Sequence, residues 1–268
     1  MTEETAPKPA MAELQSALKG KRALVLGIAN ENSIAYGCAR IFRQLGADLA
    51  ITYLNDKARP HVEPLAEELG AAIIAPCDVS HEGELEAVFA RIAKDWGALD
   101  IALHSIAYAP KDDLHGRLVE SSAQGFGIAM DISCHSFIRM ARLAEPLMRE
   151  GGTLVAMSYH GADKVVPNYN LMGPVKAALE SAVRYLAYEL GPKDIRVHAV
   201  SPGPLKTRAA SGIKNFDELL AEATQRAPIG ELVDIDDVGL TTAFLATPFA
   251  KRLTGMTIYV DGGLSIMA

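Results

Sequence analysis

Short aliphatic runs alternate along this chain with longer segments whose apolar positions recur every three or four residues. The runs at 22–26, 48–53, 71–75, 100–104, 153–157, 196–200 and 257–260 are expected strands. Their nearly continuous apolar character suits strands covered on both faces, as in a parallel sheet. Ile34, Cys38, Ile41, Phe42 and Leu45 mark one helical face, and further helices are expected over 57–69, 82–96, about 121–148, about 170–190 and 235–246. Strand–helix alternation from end to end predicts repeated right-handed βαβ units. The expected fold class is therefore α/β: a single Rossmann-type, doubly wound parallel sheet of about seven strands with helices on both faces. No linker or internal repeat divides it, so one domain is expected over 19–268, preceded by a loosely ordered polar tail over 1–18. One segment breaks the rhythm. After Ser201-Pro202-Gly203-Pro204 the chain runs on before Phe216, Leu219, Leu220 and Ala223 make a short apolar stripe. Excursions beyond a strand's carboxyl end are where open α/β sheets bind ligands, and such loops often close as lids. A substrate loop is expected over about 205–228.

Composition narrows the class. The 268 residues are 49% hydrophobic and 22% charged. A chain of that size buries roughly 70–75% of its unfolded surface, enough for a large core without metal or disulfide staples. The net charge of −7 argues against a nucleic-acid partner, since phosphate contacts need clustered Lys and Arg. Cys38, Cys77 and Cys134 are far apart and lack C-x-x-C spacing, which reads as free thiols in a reducing compartment. No signal-type apolar stretch opens the chain and no run of about 18 apolar residues occurs, so no membrane association and a cytoplasmic location are expected. The seven His show no ligand spacing, so no catalytic metal is expected.

The turn after the first expected strand reads Leu26-Gly27-Ile28-Ala29-Asn30-Glu31-Asn32-Ser33-Ile34-Ala35-Tyr36-Gly37. A strand, a turn and a helix N-terminus, whose amides and dipole favour anions, together suit a pyrophosphate. The usual G-x-G-x-x-G is missing, and an ordinary βα turn explains the stretch equally. Asp78 follows the third strand as either an acceptor for an adenine amino group or a helix N-cap. After Tyr53-Leu54-Asn55, Asp56 suits a free ribose 2′-hydroxyl, whereas Lys57 and Arg59 suit a 2′-phosphate. At the other end of the crevice, Tyr159, Tyr169 and Lys176 lie between the fifth strand and the helix that follows. A tyrosine can donate a proton or hydrogen bond to a developing oxyanion, and a nearby ammonium favours the charge that forms.

Six residues separate Tyr169 from Lys176, and Met172, which has no acidic proton, stands four before the lysine. Seven residues turn a helix by about 700° and four by about 400°, so either spacing returns to the lysine's face. With this Tyr-x6-Lys spacing go Ser33-Ile34-Ala35-Tyr36-Gly37, Cys77-Asp78-Val79, His104-Ser105-Ile106-Ala107, Pro167-Asn168-Tyr169-Asn170 and Val260-Asp261-Gly262-Gly263. On these motifs the chain resembles the bacterial enoyl-acyl-carrier-protein reductases of type II fatty acid synthesis, within the short-chain dehydrogenase/reductase superfamily. The simple carbonyl reductases of that superfamily place Tyr and Lys four apart instead.

The resemblance implies reduction of the trans-2 C=C bond of an enoyl thioester carried on acyl carrier protein, with NAD as cofactor and NADP as the alternative. It implies that Tyr169 and Lys176 stabilise the enolate, with Tyr159 close to the thioester. Gly27, Ser33, Ile34, Leu54, Asp78, Val79, Ile106 and Lys176 would line the cofactor. Leu205, Lys206, Thr207, Arg208 and Ala209 would meet its carboxamide side and begin the loop over the acyl chain. Ala109, Tyr159, Tyr169 and Met172 would touch substrate, and a homotetramer is implied. An acidic carrier needs a basic patch on this acidic chain, for which Lys206, Arg208 and Lys214 are candidates, with solvated loop charge as the alternative. Two departures stand out. Leu54 occupies a position where many members carry Gln, and Pro174 lies two residues before Lys176. The helix must then start near Asn170 or be kinked. His160 reads as a surface residue. The competing readings are a carbonyl or alcohol dehydrogenase of the same superfamily and a non-catalytic dinucleotide-sensing protein on the same fold.

Overall fold

The computed structural model describes residues 16–207 and 216–267. The expected residues Arg208, Ala209 and Lys214 lie outside them. Strands β1 (Arg22–Leu26), β2 (Asp48–Tyr53), β3 (Ile73–Pro76), β4 (Ile101–His104), β5 (Gly152–Met157), β6 (Ile195–Pro202) and β7 (Thr257–Val260) form where the aliphatic runs predict them. They make one parallel sheet in the order β3-β2-β1-β4-β5-β6-β7. Leu24 of β1 faces Ala50 of β2 on one side and Ala102 of β4 on the other. These central strands are buried on both faces because helices cover both.

The helices are α1 (Ile34–Gln44), α2 (Arg59–Glu68), α3 (Glu84–Asp95), α4 (Lys111–His115), α5 (Ala123–Met130), α6 (Ser136–Ala144), α7 (Met172–Leu190), α8 (Phe216–Arg226) and α9 (Ile235–Ala246). On one face α3, α6 and α7 bury Phe89, Phe137 and Leu179 against the sheet. On the other, α1, α2 and α9 bury Phe42, Val62 and Val238. Helices α1 and α9 touch closely because Gly37 has no side chain; a Cβ there would lie 2.3 Å from the Ile235 carbonyl oxygen. Arg40 and Asp236 add an ion pair across the same seam.

Several boundaries depart from the periodicity. The long helix expected over 121–148 is interrupted by a wider turn at Asp131–His135 between α5 and α6. Ser133 and Ser136 of this region hydrogen-bond elsewhere, and an inserted wide turn accommodates them without ending the helix. Five residues, Lys111–His115, form the short α4, which the pattern does not predict. At the N-terminus, residue 18 belongs to the folded body: Leu18 is fully buried and its N–H bonds the Leu45 carbonyl at 3.0 Å. Residues 1–15 of the expected tail lie outside the described chain. Among the described residues no helix is long and apolar enough to cross a membrane.

Candidate functional site

Strand β1 lies between β2 and β4, whose connections wind away in opposite directions, and the crevice at the carboxyl ends of these strands is the ligand position of such sheets. Gly27 closes β1 at φ +106°, and a Cβ there would sit 2.1 Å from the Ser105 carbonyl oxygen. Only glycine permits this approach of the two strand ends. Ser33 shapes the same loop: its Oγ accepts from the Ala29 and Asn30 N–H groups, each at 3.0 Å. At the end of β3 the Asp78 carboxylate accepts from the Ser80 N–H at 2.9 Å and the Ser80 hydroxyl at 2.6 Å. Asp78 therefore closes its own turn, and the N-cap position of α3 belongs to Gly83. The Val79 carbonyl accepts from Arg139 at 2.6 Å. Leu54 is half exposed at the end of β2.

A separate cavity of about 330 Å³ opens at the carboxyl ends of β4, β5 and β6. Tyr159, Tyr169, Lys176, Met172, Ala109, Ile106, Ile34, Leu205 and Thr207 share its wall. Gly27, Ser33, Leu54, Asp78 and Val79 do not line it, and stand instead along the adjoining edge of β1, β2 and β3. Lys206 is exposed, 3.5 Å from the Asp217 carboxylate of α8. His160 is half-buried and its ring lies 4.3 Å from that of Tyr159, so it is not simply a surface residue.

Three side chains dominate the cavity's chemistry. Lys176 is buried on α7 and its Nζ donates to the Met157 carbonyl at 2.6 Å. Burial lowers its pKa to about 8, against the opposing influence of Cys134 and Glu180. Pro174 falls in the first turn of α7, where its missing N–H has no intrahelical partner to lose, so one continuous helix begins at Met172. Tyr169 is held between two residues in the left-handed region, Asn168 at φ 64° and Asn170 at φ 42°. Asparagine tolerates that conformation better than most residues, and Asn170 Nδ2 also donates to the Leu114 carbonyl at 3.0 Å. The Tyr159 and Tyr169 rings meet edge to face at 4.9 Å. Gly161 makes room for them, since a Cβ there would lie 2.5 Å from the Tyr169 ring. Burial raises the pKa of both phenols, so each remains a hydrogen-bond donor at neutral pH.

The floor is fixed by the wide turn. Ser133 Oγ accepts from the Tyr108 N–H at 2.9 Å and donates to the Tyr108 carbonyl at 3.1 Å, which pins the cavity wall. Ser136 Oγ donates to the Ile132 carbonyl at 2.6 Å and therefore accepts from His104 Nε2, also at 2.6 Å. Burial, and secondly Lys176, lower the His104 pKa to about 3, so this imidazole is neutral. Ser158, Tyr108 and Leu114 line the cavity without having been singled out from the sequence, and Phe216 of the expected substrate loop joins them. Ser158 had a usable signal in its place between a strand end and Tyr159. Leu114 had none, because α4 is too short to show a period. Among the described residues no group of three or more His, Cys, Asp or Glu side chains is arranged to hold a metal ion.

Comparison with known proteins gives a consistent result. The family described as enoyl-(acyl carrier protein) reductase matches residues 27–265. The enoyl-acyl-carrier-protein reductase (NADH) FabI of Aquifex aeolicus is 46% identical over 251 residues, covering 93% of each chain. The Escherichia coli protein of the same name is 45% identical over 252 residues, 94% of this chain and 96% of that one. The crystal structure of the Anaplasma phagocytophilum enoyl-(acyl-carrier-protein) reductase in complex with NAD superposes with a TM-score of 0.90 at 42% identity, covering 94% of this chain and 96% of that one.

Proposed function

The chain belongs to the enoyl-(acyl carrier protein) reductase family, and from that premise we propose how its residues carry out the reduction of the C=C bond of an enoyl thioester on acyl carrier protein. The cofactor is NAD, as in the names of its relatives. The residues fit that group: the turn from Gly27 to Ser33 leads into the N-terminal end of α1, whose backbone N–H groups and dipole favour a pyrophosphate. At the ribose end Arg59 is already held by Glu63 through two hydrogen bonds of 2.8 and 2.9 Å. Asp56 suits a free 2′-hydroxyl and Lys57 a 2′-phosphate, and the names of the relatives give NADH.

When bound, reduced nicotinamide would supply a hydride for the β-carbon of the thioester. Negative charge then develops on the carbonyl oxygen. Tyr169 donates its hydroxyl proton or a hydrogen bond to that oxygen, and the Lys176 ammonium stabilises the same charge and holds the nicotinamide ribose. Tyr159 orients the thioester, and Met172 and Ala109 border the acyl chain. The supporting observation is the burial of Tyr169 and Lys176 on one cavity, where a donor and a cation act at low effective dielectric. Met172 brings no proton donor to the position four before the lysine, which disfavours direct carbonyl reduction.

In this reading the substrate loop begins at Leu205 and continues into α8, whose Phe216 borders the cavity. Lys206, with Arg208 and Lys214, supplies the positive charge for an acidic carrier. The protein acts in a reducing compartment as a homotetramer. Following nicotinamide absorbance with trans-2-enoyl and 3-oxoacyl thioesters, each with NADH and NADPH, tests the reading. Consumption of NADH with the enoyl substrate is expected; turnover of the 3-oxoacyl compound alone would overturn it.

A further inference from the structure

Helix α7 grips the end of β5 through two consecutive turns, and the reaction described above uses only one of them. Glu180 stands four residues beyond Lys176, so the two side chains share a helix face. The Glu180 carboxylate is buried, and its Oε1 accepts a hydrogen bond of 2.5 Å from Ser158 Oγ. Ser158 is also buried, lines the cavity, and directly follows Met157, whose carbonyl receives the Lys176 ammonium. Lys176 and Glu180 thus hold adjacent residues immediately before Tyr159. A buried carboxylate is costly unless hydrogen-bonded and opposed by positive charge.

We propose that Glu180 is a positioning residue for the reduction, anchoring Ser158 beneath Tyr159 and keeping Lys176 in its charged form. This rests on the role given to Lys176 above and adds a carboxylate that, after Cys134, opposes the loss of that lysine's proton. The titratable groups about Lys176 come from several elements. His104 of β4 is neutral, its imidazole pushed down to about 3 by burial and by Lys176 itself. Cys134 of the wide turn is a thiol whose pKa burial raises. Tyr159 and Tyr169, whose phenols burial also raises, share the cavity. Among these groups Glu180 is the one carboxylate. Burial pushes Lys176 toward loss of its proton, and Glu180 opposes that loss. Glu180 in turn holds Ser158 and, secondary to burial, helps raise the phenols of Tyr169 and, on β7, Tyr259.

The test is the pH profile of kcat/KM for NADH-dependent enoyl reduction between pH 6 and 10, on the wild type, Glu180→Gln and Glu180→Asp. Gln keeps an acceptor for Ser158 and removes the charge, so its basic limb should move about one pH unit or more to lower pH. Asp keeps the charge, so its limb should stay within about 0.3 unit of the wild type even where kcat falls. A Gln variant with an unmoved limb overturns the proposal, as does an Asp variant displaced as far as Gln. Should the Gln variant not fold by circular dichroism, an Asp limb displaced by about one pH unit or more overturns the proposal, and one within about 0.3 unit supports it. Lys176→Met is measured beside them. If it retains wild-type rate and NADH affinity, the role of Lys176 itself fails. If it loses both while the Gln limb stays in place, only the role of Glu180 fails.

Discussion

Tyr169 is set in place by its neighbours on both sides, since two asparagines in the left-handed region turn the backbone that carries it. Tyr169→Phe keeps that packing and removes only the hydroxyl. Its kcat should fall by about 100-fold or more, the usual effect of losing one donor to an oxyanion. NADH affinity, measured by fluorescence titration, should stay within about twofold, because the hydroxyl acts chiefly on the developing charge. Lys176 carries a pH signature. Its ammonium form is present below about 8 and lost above it, so kcat/KM should decline as pH rises through that value. Stability responds in the opposite sense: a lysine whose folded-state pKa is depressed favours folding above its ordinary value of 10.5 and loses that contribution as pH falls through about 8. The neutral His104 follows the same rule lower down, contributing stability above its ordinary 6.5 that is lost as pH falls toward about 3. In His104→Gln that acid-dependent part should vanish. The drop in urea-unfolding free energy between pH 6 and 4 should then be smaller than in the wild type.

At the scale of elements, the close seam of α1 and α9 holds the first βα unit against the sheet. Gly37→Ala would drive a methyl into the Ile235 backbone, 2.3 Å away. The helices must then separate, at a cost of about 1–3 kcal/mol in unfolding free energy, the usual penalty for overpacking. Most elements were legible in the sequence because a parallel strand is buried on both faces and a flanking helix on one, and both leave a period. The break between α5 and α6 was not legible. The apolar spacing runs through it, and only the partners of Ser133 and Ser136, at Tyr108 and His104, explain the wide turn. Asp78 shows the same limit. Its type and place suited a nucleotide contact or a cap, and the structure engages its Oδ1 with Ser80 rather than with the first turn of α3.

For the whole molecule, the exposed aromatic surface is the feature that a single chain leaves unexplained. Tyr185 and Tyr188 are 69% and 83% exposed on α7, and Leu240 and Phe244 are 57% and 47% exposed on α9. Contiguous exposed apolar surface of this kind marks interaction sites, and two such faces would suffice for the two isologous contacts of the proposed homotetramer if it has dihedral symmetry. Analytical ultracentrifugation should give the mass of four chains. Tyr188→Glu should reduce it to that of two if α7 forms one of those contacts. The net charge of −7 sharpens the carrier question at this scale as well, because positive charge has to be concentrated beside the substrate loop to meet an acidic partner.

The sequence by itself determined the parallel sheet, because the burial period is a local property written along the chain, and the family resemblance singled out Tyr169 and Lys176, which the structure brings to one cavity. The cavity wall was decided only in three dimensions. Ser158 is joined to Glu180 across 22 residues, Ser133 to Tyr108 across 25, and Asn170 to Leu114 across 56. No spacing rule reaches so far, since such contacts form only after βαβ winding has brought the strand ends together. The balance of charge on Lys176 was decided there too, because it depends on which groups are buried around the ammonium.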